Sequence, residues 1–117
     1  MVVRCIRILD ANSKPVEHST WLTLGQDYRA LQIVTGGNET LVRVVTDDGT
    51  PALCRLDEFE VVDDRIPPGW VCHRGHGGGS SISLGFGDFV DETFWSRYFD
   101  SENEALRTFH DYLNSQV

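Results

Sequence analysis

Alternating apolar and polar positions divide the first part of the chain into short predicted β-strands. Runs rich in valine, isoleucine and leucine are separated by turn-forming pairs such as Gly36-Gly37 and Asp48-Gly49. The predicted strands cover residues 3–9, 28–34, 40–46, 51–56, 59–62 and 70–73. Six short strands with tight turns between them favour a small barrel or a strongly bent antiparallel sheet.

The pattern changes in the last third of the chain. A glycine- and serine-rich segment, residues 75–81, is predicted to be a flexible linker before a last short strand at 82–86. Apolar residues then recur at intervals of three to four, which predicts two helices. The first helix is expected to be capped by Asp88 and to end near Tyr98, and the second to begin with a capping box at 101–104. These helices predict an αα-hairpin that packs on the sheet.

The length favours one domain over residues 1–117, with a sheet at about 1–86 and a helical hairpin at about 88–115. Strands followed by helices predict the α+β class. No apolar run approaches the roughly 20 residues of a membrane span, and Arg4 and Arg7 interrupt the first apolar stretch. We therefore expect neither a signal peptide nor a transmembrane helix.

Charge narrows the class of partner. Eighteen acidic residues against ten lysines and arginines give a formal net charge of −8, which disfavours nucleic acid and anionic membranes and favours a basic protein. Two acidic groups are the candidate partner-binding residues: Asp57, Glu58, Glu60, Asp63 and Asp64, followed by Asp88, Asp91 and Glu92. The alternative is that these residues form an ordinary solvated face that contributes solubility.

Cysteine and histidine positions argue against a metal or catalytic site. The three cysteines are Cys5, Cys54 and Cys72, an odd number without a CxxC pair, which indicates a reducing compartment rather than a disulfide framework. Cys72 precedes His73 and lies near His76, but this spacing does not match a zinc site, and neighbouring strand residues point to opposite faces. No nucleophile motif is present. We expect no metal, no cofactor and no enzymatic activity.

Two parts of the chain resemble known proteins. Residues 25–28, 40–44, 48–52 and 59–63 resemble an SH3-like barrel built from consecutive hairpins, and residues 94–105 are similar to the closing segment of small bacterial immunity proteins encoded beside polymorphic toxins. The resemblance implies an SH3-like small barrel or bent antiparallel sheet followed by a C-terminal αα-hairpin. It also implies a cytoplasmic protein that binds and inhibits a cognate toxin domain, a basic one such as a nuclease.

The SH3-like pattern leaves a second function open. In a peptide-binding or scaffolding module of this class, exposed aromatic side chains such as Trp21 and Tyr28 would contact an extended or proline-rich segment. An aromatic groove would favour this alternative, whereas an acidic convex surface would favour the inhibitor. A small enzyme or metalloprotein that uses Cys72, His73 and His76 is the third hypothesis.

Overall fold

A computed structural model describes residues 1–74 and 81–115. These residues form nine β-strands, one short 3-10 helix and two α-helices. The strands are β1 (Val2–Cys5), β2 (Ile8–Leu9), β3 (Pro15–Val16), β4 (Asp27–Gly36), β5 (Glu39–Val45), β6 (Pro51–Arg55), β7 (Phe59–Asp63), β8 (Trp70–Arg74) and β9 (Ile82–Phe86). The 3-10 helix, Leu56–Glu58, joins β6 to β7, and the α-helices are α1 (Glu92–Phe99) and α2 (Asn103–Ser115).

Seven of these strands form one antiparallel sheet with β4 at its centre. The order is β6-β5-β4-β1-β7, and β9 pairs with both β4 and β8. The first half of β4 pairs with β1 and its second half, from Gln32 to Thr35, pairs with β9. Strands β2 and β3 form a separate small hairpin. The predicted α+β fold, an antiparallel sheet followed by a helical hairpin, is therefore confirmed.

The predicted strands are confirmed in position, apart from the first one. The sequence predicts one strand over residues 3–9, but two strands, β1 and β2, occupy this region. The amides of Ile6 and Arg7 both donate to the carbonyl oxygen of Glu58, at 2.9 and 3.2 Å. This contact turns the chain out of the ladder with β7, so β1 ends at Cys5.

One face of the sheet carries a mainly aliphatic core, here called the strand core. Alternation in the strands supplies its members because every second side chain points inward. Its buried residues are Val3, Cys5, Ile8, Leu22, Tyr28, Ala30, Val42, Val44 and Phe59. Burial of Val42 and Val44 between the more exposed Leu41, Arg43 and Val45 follows this alternation directly.

The opposite face carries a second core made mostly of rings, here called the aromatic cluster. Its buried residues are Leu31, Phe89, Phe94, Trp95, Ala105, Phe109 and Tyr112. Helices α1 and α2 contribute most of them. Phe89 lies at the centre, with its ring centroid 4.8 to 6.2 Å from those of Phe94, Trp95, Phe109 and Tyr112.

A β-bulge in β4 places two consecutive side chains on the helical face of the sheet. Ala30 pairs with Val44 and Gln32 pairs with Arg43, so Leu31 has no partner in β5. Ordinary alternation puts Ala30 in the strand core and Leu31 in the aromatic cluster, and the bulge then keeps Gln32 on the same face as Leu31. Gln32 and Arg43 consequently lie on the face of the sheet that carries the helices.

The helices begin at other residues than predicted. Asp91, not Asp88, caps α1, with its side chain accepting the amide of Thr93 at 3.0 Å. The predicted capping box at 101–104 is also wrong, because Ser101 has a left-handed φ of 62°. Its amide donates to the carbonyl of Tyr98, and the next amide donates to that of Arg97, which is a Schellman ending of α1. Neither described helix is long and apolar enough to cross a membrane.

Candidate functional site

Strand β7 presents an acidic surface at one end of the sheet order. Among the described strands β7 pairs with β1 on one side only, so its other backbone edge is unpaired. Phe59 is buried, whereas Glu60, Val61 and Val62 are exposed. We call the side chains of Asp57, Glu60, Val61, Val62, Asp63 and Asp64 the acidic edge. The first predicted group of acids, apart from Glu58, lies here.

Arginines partly neutralise the acidic edge. Arg4 lies 3.8 Å from Glu60, and Arg55 lies 3.0 Å from Asp57. Arg65 contacts Asp63 at 2.7 Å, and hydrogen bonds from its guanidinium and amide hold the pKa of that carboxyl well below its usual range. These pairs are exposed, so each contributes little to stability. Asp64 is exposed and has no ion pair within the described part of the chain.

Glu58 does not lie on the acidic edge. Its side chain is buried, and its carboxylate accepts the amide of Leu9 at 3.1 Å. Together with the backbone contacts from Ile6 and Arg7, this bond fastens the first loop of the chain to the 3-10 helix. Glu58 is therefore engaged in holding the fold together and exposes only 8% of its surface, at the wall of the groove described below.

The second predicted group of acids lies at the start of the helical hairpin. Asp88 is exposed in the turn before α1. Asp91 is engaged in capping α1, where its carboxylate also accepts the Thr93 hydroxyl at 2.8 Å. Glu92 is the first residue of α1, and its side chain lies outside the described atoms. Asp88 and Asp91 are both exposed, but the carboxylate of Asp91 is engaged in capping α1.

A groove of about 870 Å³ lies between the first loop and β6. Trp21 lines it with 47% of its surface exposed, and Val16 and Leu53 add apolar surface at 36% and 40% exposure. Tyr28, the other aromatic residue named for peptide binding, is buried and lies outside this groove. Its hydroxyl accepts the amide of Thr23 and donates to Asp47, both at 2.7 Å.

The segment that begins at Cys72 assembles no metal site in the described residues. Cys72 and His73 are exposed on β8, and His76 lies outside the described residues. Within 1–74 and 81–115 no three His, Cys, Asp or Glu side chains approach closely enough to hold a metal ion. Cys5 and Cys54 are also free thiols, and burial raises the pKa of Cys54 to about 11.

A further polar site was missed by the sequence analysis. Arg43 projects from β5 toward the helices, with its guanidinium carbon 4.2 Å from the ring centre of Trp95. Its Nε donates to Gln32 at 3.1 Å and its Nη1 donates to the carbonyl of Pro51 at 3.0 Å. Burial lowers the pKa of Arg43 to about 10. No acidic residue pairs with it in the described structure.

Gly85 allows the strands around this site to approach closely. A Cβ atom at Gly85 would lie 2.9 Å from the carbonyl oxygen of Leu31, closer than real contacts allow. Glycine therefore permits β9 to pair with β4 next to the bulge. The pairing brings Ser83 against Gln32, whose side-chain amide donates to the Ser83 hydroxyl at 2.7 Å.

Comparisons of the chain with protein-family models, with curated proteins and with solved structures find no match.

Proposed function

We propose that this protein is an immunity-type inhibitor that binds a basic toxin domain, such as a nuclease, without catalysing a reaction. The observation that carries the proposal is the acidic edge, where exposed apolar and acidic side chains accompany an unpaired strand. The net charge of −8 would attract a basic partner at long range. The expected result of binding is that the inhibitor covers the surface on which the toxin holds its own substrate.

The acidic edge has the layout of an interface. Val61 and Val62, exposed by 47% and 39%, supply apolar area that a partner would remove from water. Glu60 and Asp64 flank them as a polar rim. The unpaired backbone of β7 adds donors and acceptors that a partner loop or strand would satisfy. The apolar area would supply affinity, and the negative charges of the rim would favour a partner whose contact surface is positively charged.

The arginines beside this surface determine which acids matter most. Asp63 is engaged by Arg65, so its charge is largely cancelled locally. Glu60 is only 3.8 Å from Arg4, a loose contact that a basic partner would replace readily. Asp64 has no ion pair among the described residues. We therefore assign the main steering role to Glu60 and Asp64, with Asp57 next.

The test is protection of cells and association with the toxin domain encoded by an adjacent open reading frame. The triple variant Asp57→Lys, Glu60→Lys, Asp64→Lys spares the buried Glu58. We expect it to associate at least about tenfold more slowly at low salt and to show a flatter salt dependence. The matched control reverses three exposed acids of the helical hairpin, Asp100, Glu104 and Asp111.

The control should retain fast association because its charge change is the same but its location differs. Equally slow association in both triple variants would indicate an effect of net charge alone and would contradict the assignment of the acidic edge as the binding surface. Failure of the wild-type protein to bind or neutralise any adjacent toxin domain would contradict the inhibitor function itself.

A cytoplasmic location belongs to this proposal. Cys5, Cys54 and Cys72 are free, and Cys72 is exposed on β8. An exposed thiol is compatible with a reducing compartment, where disulfides rarely persist. Fractionation of cells that make the untagged protein would test the location.

The groove beside Trp21 supports a second candidate function, a peptide-binding or scaffolding module. Its half-exposed indole and neighbouring apolar side chains fit an extended or proline-rich peptide. Trp21→Ala should weaken binding of a proline-rich peptide library at least about tenfold, whereas the control Phe99→Ala, also at an exposed ring, should not. No peptide binding by the wild-type protein would eliminate this function and leave the inhibitor proposal untouched.

A further inference from the structure

The cavity between β4, β5, β9 and α1 has the composition of an anion site. Its volume is about 240 Å³, and its lining includes Arg43, Arg74, His73, Gln32 and Ser83. None of the described lining residues is acidic. In a chain with eighteen acidic residues and ten lysines and arginines, two arginines and no described acid around one cavity reverse the local sign of charge.

Arg43 has donors left for a ligand. A guanidinium carries five N–H groups. Gln32 accepts the N–H of Nε, and the carbonyl of Pro51 accepts one N–H of Nη1. The three remaining N–H groups have no acceptor among the described residues. Nη2 makes no hydrogen bond in the described structure and is not among its fully buried side-chain atoms without a partner, so it keeps solvent-accessible surface. Because Arg43 lines the cavity, the two N–H groups of Nη2 are the donors that we assign to a ligand there.

The surrounding contacts hold Arg43 in place before any ligand arrives. Trp95 covers one face of the guanidinium, and its own indole N–H donates to the carbonyl of Phe89 at 2.9 Å. Gln32 accepts from Arg43 and donates to Ser83, so its orientation is determined at both ends. Such preorganisation lowers the entropic cost of binding. A fixed, partly desolvated cation without a carboxylate partner favours an oxyanion.

We propose that this cavity binds the oxyanion of a small molecule, a phosphate or carboxylate group, between Arg43 and Arg74. Arg43 is the inner, fixed donor, and the exposed Arg74 closes over the anion from β8. The Ser83 hydroxyl, which accepts from Gln32, retains its proton to donate to the ligand. The cavity is smaller than ordinary ligand sites, which suits one anionic group with a short substituent.

The experiment titrates the ¹⁵N-labelled full chain with inorganic phosphate and, separately, with malonate, against sodium chloride at equal ionic strength. The observed signal is the Nε–Hε cross-peak of Arg43, assigned by its loss in Arg43→Lys. We expect this cross-peak to shift saturably with at least one of the two anions and not with chloride. Saturation by phosphate alone assigns a phosphoryl ligand, by malonate alone a carboxylate ligand, and by both an unselective oxyanion site.

Arg74→Gln provides the main variant because Arg74 is exposed and its loss leaves the cores intact. We expect it to weaken binding by about threefold to tenfold. Arg107→Gln, at an exposed position of α2, is the matched control for the same charge change and should leave the affinity unchanged. A cross-peak that responds to all three salts alike, or equal weakening in Arg74→Gln and Arg107→Gln, would overturn the proposal.

Discussion

The two cores on either side of the sheet are built from different materials. The strand core consists mainly of aliphatic side chains that alternate along paired strands, whereas the aromatic cluster consists of rings supplied by a turn and two short helices. Helices as short as α1, with eight residues, have little stability of their own. The difference indicates that the strands can hold together through their ladders, while the helices depend on burying rings against the sheet.

Phe89→Ala is the substitution for which we expect the largest loss of stability, and it tests whether the two cores differ in this way. Phe89 is fully buried and central to the aromatic cluster, so its loss should reduce the free energy of unfolding by about 4 kcal/mol. Hydrogen exchange should show that α1 and α2 lose protection first while β1 and β7 retain theirs. Phe99→Ala, at a ring that is 53% exposed, should cost less than about 1 kcal/mol. Equal loss of protection in strands and helices would mean that the two cores are one cooperative unit.

The corresponding change in the strand core is Val44→Ala. Two buried methyl groups are lost from a fully buried position, so we expect a loss of about 2 kcal/mol in urea unfolding. Because β4 and β5 support both cores, the helices should lose as much protection as the strands. Helical amides that keep full protection in this variant would contradict the dependence of the helices on the sheet.

The polar group in the strand core gives a smaller, pH-dependent effect. Tyr28→Phe removes the hydroxyl that bonds Asp47 and Thr23, with an expected loss of about 1 kcal/mol near neutral pH. Burial, with the bond to Asp47 next, raises the pKa of Tyr28. Its contribution is therefore complete below about pH 10, where a tyrosine in the unfolded chain ionises, and is lost as the pH rises through the higher folded pKa.

The measurement is the unfolding free energy of both proteins across this alkaline range. The difference between wild type and Tyr28→Phe should narrow above about pH 10. A difference that stays constant with pH would show that the hydroxyl contributes by packing alone.

The smallest expected effect is a gain in stability from a substitution at the end of α1. Ser101 adopts φ 62°, a conformation that costs a side-chain-bearing residue more than glycine. Ser101→Gly should therefore raise the free energy of unfolding by about 0.5 kcal/mol, after the larger chain entropy of glycine is included. Ser96→Gly, inside α1, is the control and should destabilise. A loss of stability in Ser101→Gly would contradict the Schellman ending of α1.

Local patterns predicted the strands well and the ends of the helices poorly. Alternation and turn residues suffice for a strand such as β5, where the buried Val42 and Val44 alternate with more exposed neighbours in sequence. Ser101 and Glu104 have the spacing of a capping box, yet the tight connection between α1 and α2 requires a left-handed residue at Ser101. The four residues 101–104 do not by themselves determine the direction of α2 relative to α1.

The site residues show the same limit more strongly. Glu58 lies among charged neighbours in the sequence, as a solvent-exposed acid would. It is buried instead, and its carboxylate accepts the amide of Leu9, which is 49 residues away. Arg43 alternates with Val42 and Val44 as a solvent-facing strand residue would, and the Ser83 that completes its surroundings is 51 residues from Gln32. A single arginine among apolar strand residues is the one signal that sequence reasoning had for this cavity.

The extra residue in β4 has a consequence for insertions and deletions. Leu31 adds one side chain to the helical face, and beyond it Gln32 remains opposite Arg43 and Ile33 still packs against the strand core. Deletion of Leu31 would shorten the chain by one residue without moving the later side chains of β4 to the opposite face of the sheet. The bulge is thus a point at which a change in chain length alters one hydrophobic layer and spares the other.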